Sequence, residues 1–308
     1  MSVGWVAGTV RARSLLSRRI GDAGARALAA EPTLEAATRR LAATTYRRFL
    51  PGDATLEQAQ RAVGDTVLWN LRVLAGWVPN PGLAMLRVLV AEFEVCNLVD
   101  HLRALSGEPA PEPYRLGALT DTWNRAAATR SPAELRQVLA ASPWGDPGAD
   151  TPAALVTGLR LSAAGRLAEL HQVTQRWGAA AAALLIARQR FLVGRAPDAA
   201  SAARARSLLG ERALGATDWR GYTAALPRRT AGWVLAGIDG PRQLWLAEAG
   251  WWTQVTQDAE AMVHTARFNA ELVLGCAALL LSDAHAVRAA LERAARGGGI
   301  SGGADVLP

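Results

Sequence analysis

The amino-acid sequence predicts an all-α protein, and three observations support this prediction. Runs in which β-branched or aromatic residues alternate with polar ones do not occur, so strand signals are nearly absent. Ala, Leu, Arg, Glu and Gln, which favour helices, dominate the chain between its Pro and Gly breaks. Apolar residues recur at helical spacing, and helix start and stop signals separate the segments that carry them.

The predicted helices begin and end at recognisable signals. Thr33, Thr55 and Ser131 each precede a helical segment as N-cap candidates, and Ser131 is followed by Pro132 and by Glu134 in a capping box. Pro and Gly mark four breaks between helices, at 51–52, 79–82, 109–113 and 142–152. The last of these is the clearest linker.

Long apolar segments are interpreted as core helices. Residues 82–106 carry Leu, Val and Phe at helical spacing and are predicted to form one long helix. The longest uninterrupted apolar runs, 178–187 and 272–281, reach about half of the roughly 20 residues that a membrane span needs. Since the first residues also lack the pattern of a signal peptide, we expect a soluble, cytoplasmic protein.

Several segments share a layout. Residues 33–50 and 131–145 each hold a capped helix that ends in Leu, followed by a small polar residue and an aromatic one. A further copy opens at 217–219, and 283–298 resembles 94–108 in its acid, Leu, Arg and final Gly. These similarities predict three helical repeats: 1–113, 114–215 and 216–308, with a flexible Gly-rich tail from about 297.

The composition excludes several function classes. All 34 basic residues are arginine, so the chain has no phosphate-binding GxxxxGK[ST] loop, no Schiff-base lysine and no kinase-type Lys–Glu pair. The net charge is +7, but the arginines are spread along the chain rather than gathered in a block, which argues against a nucleic-acid partner. Cys96 and Cys276 are far apart, as expected of buried thiols in a reducing compartment.

The histidines form no metal-binding pattern. His101, His171, His264 and His285 are each placed on a predicted helix, and neither HExxH nor ExxH occurs. Glu260 shares a helix face with His264 at a spacing of i, i+4. We interpret these residues as surface or interface pairs, and we expect no metal site.

No catalytic constellation is predicted either. Residues 299–303 match the letters of a GxSxG nucleophile elbow, but no strand precedes Ser301 and no helix follows it. The acidic pairs Glu92/Glu94 and Asp258/Glu260 are isolated, without a partner for acid–base work. The sequence thus predicts no catalytic residue, no cofactor and no enzymatic activity.

The chain has 11 tryptophans, and three of them lie close together on one predicted helix. Trp245 and either Trp251 or Trp252 return to roughly the same helix face. Core packing is one interpretation. The other is a helix that presents aromatic side chains and arginines such as Arg242 to a partner protein.

Several short motifs occur in an order that resembles one protein family. They are the aromatic-led helix 5–17, the Thr44-Thr45-Tyr46 turn, the helix with Phe93, Glu94, Asn97, Leu98, Leu102 and Arg103, the Leu116-Gly117 step, the turn 142–145 and the helix end 283–297. Together they resemble the C-subunit family of the bacterial and archaeal V-type (A-type) rotary ATPases, whose eukaryotic counterpart is the d-subunit of the V-ATPase. Glu94 stands where the family usually has Asp.

The resemblance implies a non-catalytic part of a rotor. Members of the family are funnels of three similar helical subdomains that receive the central shaft and rest on the membrane proteolipid ring. The resemblance implies one copy per complex, held at the inner face of the plasma membrane by protein contacts and coupling ATP turnover to proton or sodium transport. The alternative is an unrelated helical repeat scaffold that binds a protein.

Two arginine pairs are candidates for interface contacts. Charge reversal at Arg18/Arg19 or Arg228/Arg229 is expected to weaken assembly if the pair lies at an interface.

Overall fold

The computed structural model describes residues 4–265 and 267–298, and it confirms the all-α class. Within those ranges the chain forms α-helices with short 3₁₀ and π segments, and no β-strand. Two compact units are distinguished: residues 1–86 together with 252–308, and residues 87–251. The first unit therefore combines helices from the N-terminal and C-terminal parts of the described chain.

The helices follow one another closely along the chain. They are α1 Gly4–Leu16, α2 Gly21–Ala29, α3 Leu34–Leu41, α4 Leu56–Ala75, α5 Asn80–Leu89, α6 Ala91–Leu105, α7 Trp123–Ala126, α8 Pro132–Ala140, α9 Pro152–Leu170, α10 Gln172–Ala187, α11 Ala199–Leu209, α12 Glu211–Gly215, α13 Trp219–Ala225, α14 Leu244–Thr265 and α15 Ala270–Ala295. A 3₁₀ helix covers Thr45–Phe49, and a π segment covers Arg188–Leu192.

The core of the first unit is built around α15. This helix packs against α1, α2, α3 and α4, and its residues 272–280 are all buried. By length and composition α15 is apolar enough to cross a membrane, but 72% of its most apolar window is buried inside the structure. Packing against four helices accounts for its hydrophobic composition.

In the second unit, α9 and α10 pack extensively against each other. Gly178 on α10 lies so close to α9 that a Cβ atom there would overlap backbone atoms of Ala164 and Ala168. Helix backbones can approach to this degree only where one residue has no side chain. The large buried aromatic residues Trp177 and Tyr222 lie in the same unit.

The predicted helix starts are confirmed. The side chains of Thr33, Thr55 and Ser131 accept hydrogen bonds from the third backbone N–H of α3, α4 and α8. At Ser131 the capping box is not the one predicted: the Glu134 carboxylate accepts from the N–H of Arg130, one residue earlier than the cap. Residues 109–113 have no regular structure, as predicted.

Two predicted features of 79–106 were wrong. The segment 82–106 is not one helix, because the chain leaves the helical conformation at the buried Val90, between α5 and α6. The break predicted at 79–82 lies at 76–79, because residues 80–82 already form the first turn of α5, where Pro81 is favoured. The break at Val90 lacks Gly and Pro, so no local signal marks it.

The linker prediction for 142–152 needs a qualification. The segment lacks regular structure until α9 begins, but Trp144 within it is only 2% exposed and belongs to a hydrophobic cluster with Leu155 and Leu159. It is therefore part of the folded second unit.

The two units do not coincide with the three ranges expected from the sequence. The boundaries of the units fall inside α5 and α14, whereas the expected ranges meet at 113/114 and 215/216. The division into three repeats stays a prediction.

Candidate functional site

In the first unit, the buried Asp283 of α15 holds the start of α2. Its carboxylate accepts hydrogen bonds from the backbone N–H of Gly21 at 2.7 Å and of Ile20 at 3.4 Å, and from the Tyr46 hydroxyl at 2.8 Å. Ile20 is the N-cap of α2 but has no side-chain acceptor. Asp283 therefore caps this helix from a distant part of the chain, at the positive end of the helix dipole.

Burial governs the protonation of this pair. Burial raises the pKa of Asp283, while the hydrogen bonds from Tyr46, Gly21 and Ile20 and the charge of Arg19 act in the opposite direction. Burial and the negative charge of Asp283 hold the pKa of Tyr46 well above its ordinary value. The Tyr46 hydroxyl therefore remains a hydrogen-bond donor to Asp283.

In the second unit, the buried Glu94 of α6 also holds the start of a helix, α7. Glu94 is 2% exposed, and its Oε1 accepts from the backbone N–H of Thr122 at 2.7 Å and of Trp123 at 2.6 Å. The N–H of Asp121 and the hydroxyl of Thr120 also donate to it. α7 begins at Trp123, and the Thr122 side chain does not cap it. Glu94 is thus a second remote helix cap.

The same kind of turn occurs in both units. Thr44 donates its hydroxyl hydrogen to a carbonyl of the preceding turn at 2.7 Å and accepts from the N–H of Tyr46 at 3.2 Å. Ser142 makes the same two bonds at 2.7 Å and 3.2 Å, the second with the N–H of Trp144. In each unit the turn points an aromatic side chain into the core, since Tyr46 and Trp144 are both buried.

The other motif residues of α6 are structural as well. The Asn97 amide forms two hydrogen bonds with the backbone of Tyr114, donating at 2.9 Å and accepting at 2.7 Å. Leu98 and Leu102 are buried. These contacts fix the irregular segment after α6 against the helix.

α6 and α15 end in the same way. Gly107 and Gly297 follow the last turns with φ of 82° and 105°, in the left-handed region that favours glycine. The next backbone N–H then donates to the carbonyl of Arg103 in one case and of Arg293 in the other. The predicted Gly stops are confirmed at both helices.

A cleft of about 300 Å³ opens beside Asp283 in the first unit. Its apolar wall includes Leu15, Val67 and Leu280. The polar and aromatic residues that line it are Arg18, Arg19, Thr45, Tyr46, Arg47, Arg48, Thr66, Trp69, Asn70 and Asp283. The lining of the cleft thus combines apolar side chains with four arginines.

In the sequence these arginines form two separate pairs of adjacent residues, Arg18-Arg19 and Arg47-Arg48, and the fold brings both pairs to one cleft. Arg48 lies over the Trp69 ring, 3.8 Å from its centroid, in a cation–π contact. Arg19 pairs with Glu260 at 3.4 Å. Trp69 was not singled out from the sequence because a single tryptophan on a helix carries no signal of its own.

Each of the four histidines takes part in an ordinary hydrogen bond or ring contact. The ring of His101 is 2.9 Å from the hydroxyl of Thr129, and His264 Nδ1 is 2.7 Å from the backbone carbonyl of its predicted partner, Glu260. His285 stacks on Trp252. The helical placement of the fourth was wrong: His171 is the N-cap of α10, where its Nδ1 accepts a backbone hydrogen bond.

The two thiols differ in burial. Cys276 is completely buried on α15, and burial raises its pKa to about 11, whereas Cys96 on α6 is only partly buried. Ser301 lies outside the described residues. Across the described part of the chain, no three His, Cys, Asp or Glu side chains are placed to hold a metal ion.

The two residues of each acidic pair lie in different environments. Glu92 is exposed on α6 while Glu94 is buried. Asp258 accepts a hydrogen bond from Gln254 at 2.9 Å, and Glu260 faces Arg19.

The three tryptophans of α14 do not form one surface. Trp245 is 52% exposed next to the exposed Arg242, whereas Trp251 donates its indole N–H to the carbonyl of Trp177 at 2.9 Å. Trp252 is partly buried against His285. Core packing therefore describes Trp251 and Trp252, and Trp245 remains available for a partner.

The fold and its contacts define an all-α protein whose buried acids organise helix starts. No protein-family model matches the chain, and a search of curated proteins finds no significant relative.

Proposed function

We propose that this chain is a non-catalytic central-stalk subunit of a V/A-type rotary ATPase. It would couple the rotor shaft of the soluble head to the membrane proteolipid ring during ATP-linked proton or sodium transport. In this role it is peripheral to the inner face of the plasma membrane, is held there by protein contacts, and is present in one copy per complex. It needs no cofactor.

This proposal rests on the contacts that the motif residues make in the fold. Glu94 and Asn97 hold the chain around α7 and after α6, and Tyr46 and Trp144 lie in matching turns. These are the residues on which the family resemblance rests. They act as a framework, as expected of a part that transmits torque without performing chemistry.

The recurrence of this framework also supports related subdomains. In each unit a buried acid, Asp283 or Glu94, accepts from backbone N–H groups at a helix start, and a Thr or Ser turn precedes a buried aromatic residue, Tyr46 or Trp144. We infer that the helical repeats descend from one another and that three of them form the funnel that the resemblance implies. Asp218, which caps α13, lies where the third repeat is predicted to begin.

Exposed arginines and aromatics favour a role in protein assembly. Arg228, Arg229, Arg242 and Trp245 are exposed in the second unit. Arg and Trp are enriched among the residues that contribute most to protein interfaces. A helical scaffold that binds an unrelated protein would use the same residues, so the identity of the partners separates the two functions.

A pull-down from detergent-solubilised native membranes tests the proposal. The tagged protein is expected to recover the shaft, head and proteolipid subunits of a rotary ATPase, identified by mass spectrometry. A partner set without any of them would overturn the rotor function and support the scaffold.

Variants at Arg228 and Arg229 sharpen this experiment. If the pair lies at the interface, Arg228→Glu with Arg229→Glu is expected to reduce recovery of the complex, because reversed charges repel their former partners. Arg228→Lys with Arg229→Lys keeps both charges and serves as the matched control. Equal recovery with both variants would remove the pair from the interface.

A further inference from the structure

Two segments of the first unit each bring a pair of arginines to the cleft beside Asp283. Arg18 and Arg19 follow the end of α1, and Arg47 and Arg48 belong to the 3₁₀ helix after α3. Thr45 joins the segments, because its hydroxyl donates to the carbonyl of Arg18 at 3.3 Å. Folded elements therefore bring four arginines to the lining of one cavity.

The positive charge of the cleft is only weakly neutralised. Within the described ranges, no carboxylate forms an ion pair with Arg18, Arg47 or Arg48. The partner of Arg19 is Glu260, at 3.4 Å, and both side chains of this pair are partly exposed. Such a pair contributes little.

The one carboxylate in the lining does not face the arginines as a free acceptor. Asp283 already accepts hydrogen bonds from Gly21, Ile20 and Tyr46. Burial also favours its neutral form. The four arginines thus bring positive charge to the cleft with little compensation from protein carboxylates.

The shape and chemistry of the cleft fit a multiply charged oxyanion. Guanidinium groups offer pairs of N–H donors that match phosphate oxygens, and Arg48 is held in place by its stacking on Trp69. A volume of about 300 Å³ suits a small ligand group. Leu15, Val67 and Leu280 supply the apolar part of the lining.

We propose that this cleft binds a phosphate group, carried by a small soluble compound or by a phospholipid head group. The bound phosphate oxygens accept hydrogen bonds from the arginines of both segments and supply the counter-charge. The proposal does not depend on the proposed rotor function.

Calorimetric titration of the full-length protein with inorganic pyrophosphate, at constant ionic strength set by NaCl, tests it directly. The wild-type protein is expected to show one saturable site, and pyrophosphate is expected to raise its Tm because it binds the folded state. Arg18→Gln with Arg47→Gln should weaken binding about tenfold or more, since it removes charged hydrogen-bond donors from both segments.

Arg228→Gln with Arg229→Gln is the matched control, because it removes the same number of charges from an exposed pair in the second unit. It should bind pyrophosphate as the wild-type protein does. An equal loss of binding in both double variants would show that only the net charge of the protein matters, and it would overturn the proposed site. A wild-type titration without saturable binding would overturn it as well.

Vesicles distinguish the two sources of phosphate. Sedimentation is measured with phosphatidylcholine vesicles with and without phosphatidic acid. Binding that requires phosphatidic acid, is lost in the Arg18/Arg47 variant and is competed by pyrophosphate assigns the cleft to a lipid head group. Saturable pyrophosphate binding without vesicle binding assigns it to a soluble phosphate compound. Failure of both would overturn the proposal.

Discussion

Glu94 and Asp283 are buried acids whose carboxylates are occupied by the backbone of another element. Burying a carboxylate costs several kcal/mol unless hydrogen bonds replace its water. Here the replacements are N–H groups at a helix start, which have no partner within their own helix. Each acid therefore satisfies donors that would otherwise be buried and unpaired.

Glu94→Ala is expected to lower the free energy of unfolding by about 3 kcal/mol, since it leaves several buried donors without an acceptor. Urea denaturation followed by circular dichroism measures the loss. Glu92→Ala, on the exposed side of the same helix, is the control and is expected to change stability by less than about 1 kcal/mol. Similar losses from both variants would show that Glu94 is not a cap.

Asp283 predicts a specific dependence of stability on pH. Because burial raises the pKa of Asp283 in the folded state, the folded protein holds a proton that the unfolded chain has released. Its contribution is fully present below the ordinary pKa of 3.8 and is lost as pH rises through the folded-state pKa. The stability of the wild-type protein relative to Asp283→Asn should therefore fall as pH rises from acidic to neutral.

Denaturation curves of both proteins across this pH range provide the measurement. Asp53→Asn, in an exposed loop, measures the background from other titrating groups. A difference that grows with pH would mean that the hydrogen bonds to the carboxylate outweigh its burial.

Some helix boundaries are determined by residues within one turn, and others by residues far away in the sequence. The caps at Thr33, Thr55 and Ser131 were predictable because each involves residues within one turn. The break at Val90 was not, because both neighbouring segments favour a helix and the break contains neither Gly nor Pro. The same limit applies to α2 and α7, whose caps lie on other helices.

The contact of α9 with α10 predicts opposite effects for two glycines. Gly178→Ala is expected to destabilise the protein by about 2 kcal/mol, because the new methyl group would overlap the backbone of α9. Gly165→Ala, on α9, is the control: a Cβ there meets no atom within 4 Å, and alanine favours the helix by about 1 kcal/mol. Thermal unfolding of both variants measures the difference, and equal signs would contradict the packing.

The whole molecule consists of two units, and the first is completed only by the end of the chain. α15 forms the centre of this unit, against α1 to α4. The first 86 residues therefore lack their main packing partner until residues 252–298 are present. This order places many contacts of the first unit between residues far apart in sequence, which favours slow folding.

The two thiols are expected to report on this assembly. Cys276 is fully buried on α15 with a pKa raised to about 11, so it should resist alkylation by iodoacetamide in the folded protein. Cys96, which is partly buried in the second unit, is expected to react faster. Labelling followed by mass spectrometry over a urea series measures both. Cys276 should become reactive only where the first unit unfolds, and rapid labelling without urea would contradict the packing of α15.

The sequence by itself determined the all-α class, the local caps and the Gly stops, because each depends on neighbouring residues or on their order. Only the tertiary structure decided that Asp283 and Glu94 cap distant helices, that Val90 separates two helices and that two arginine pairs line one cleft. These features depend on which segments meet in space. Contacts between residues far apart along the chain leave no periodic or local signal in a single sequence.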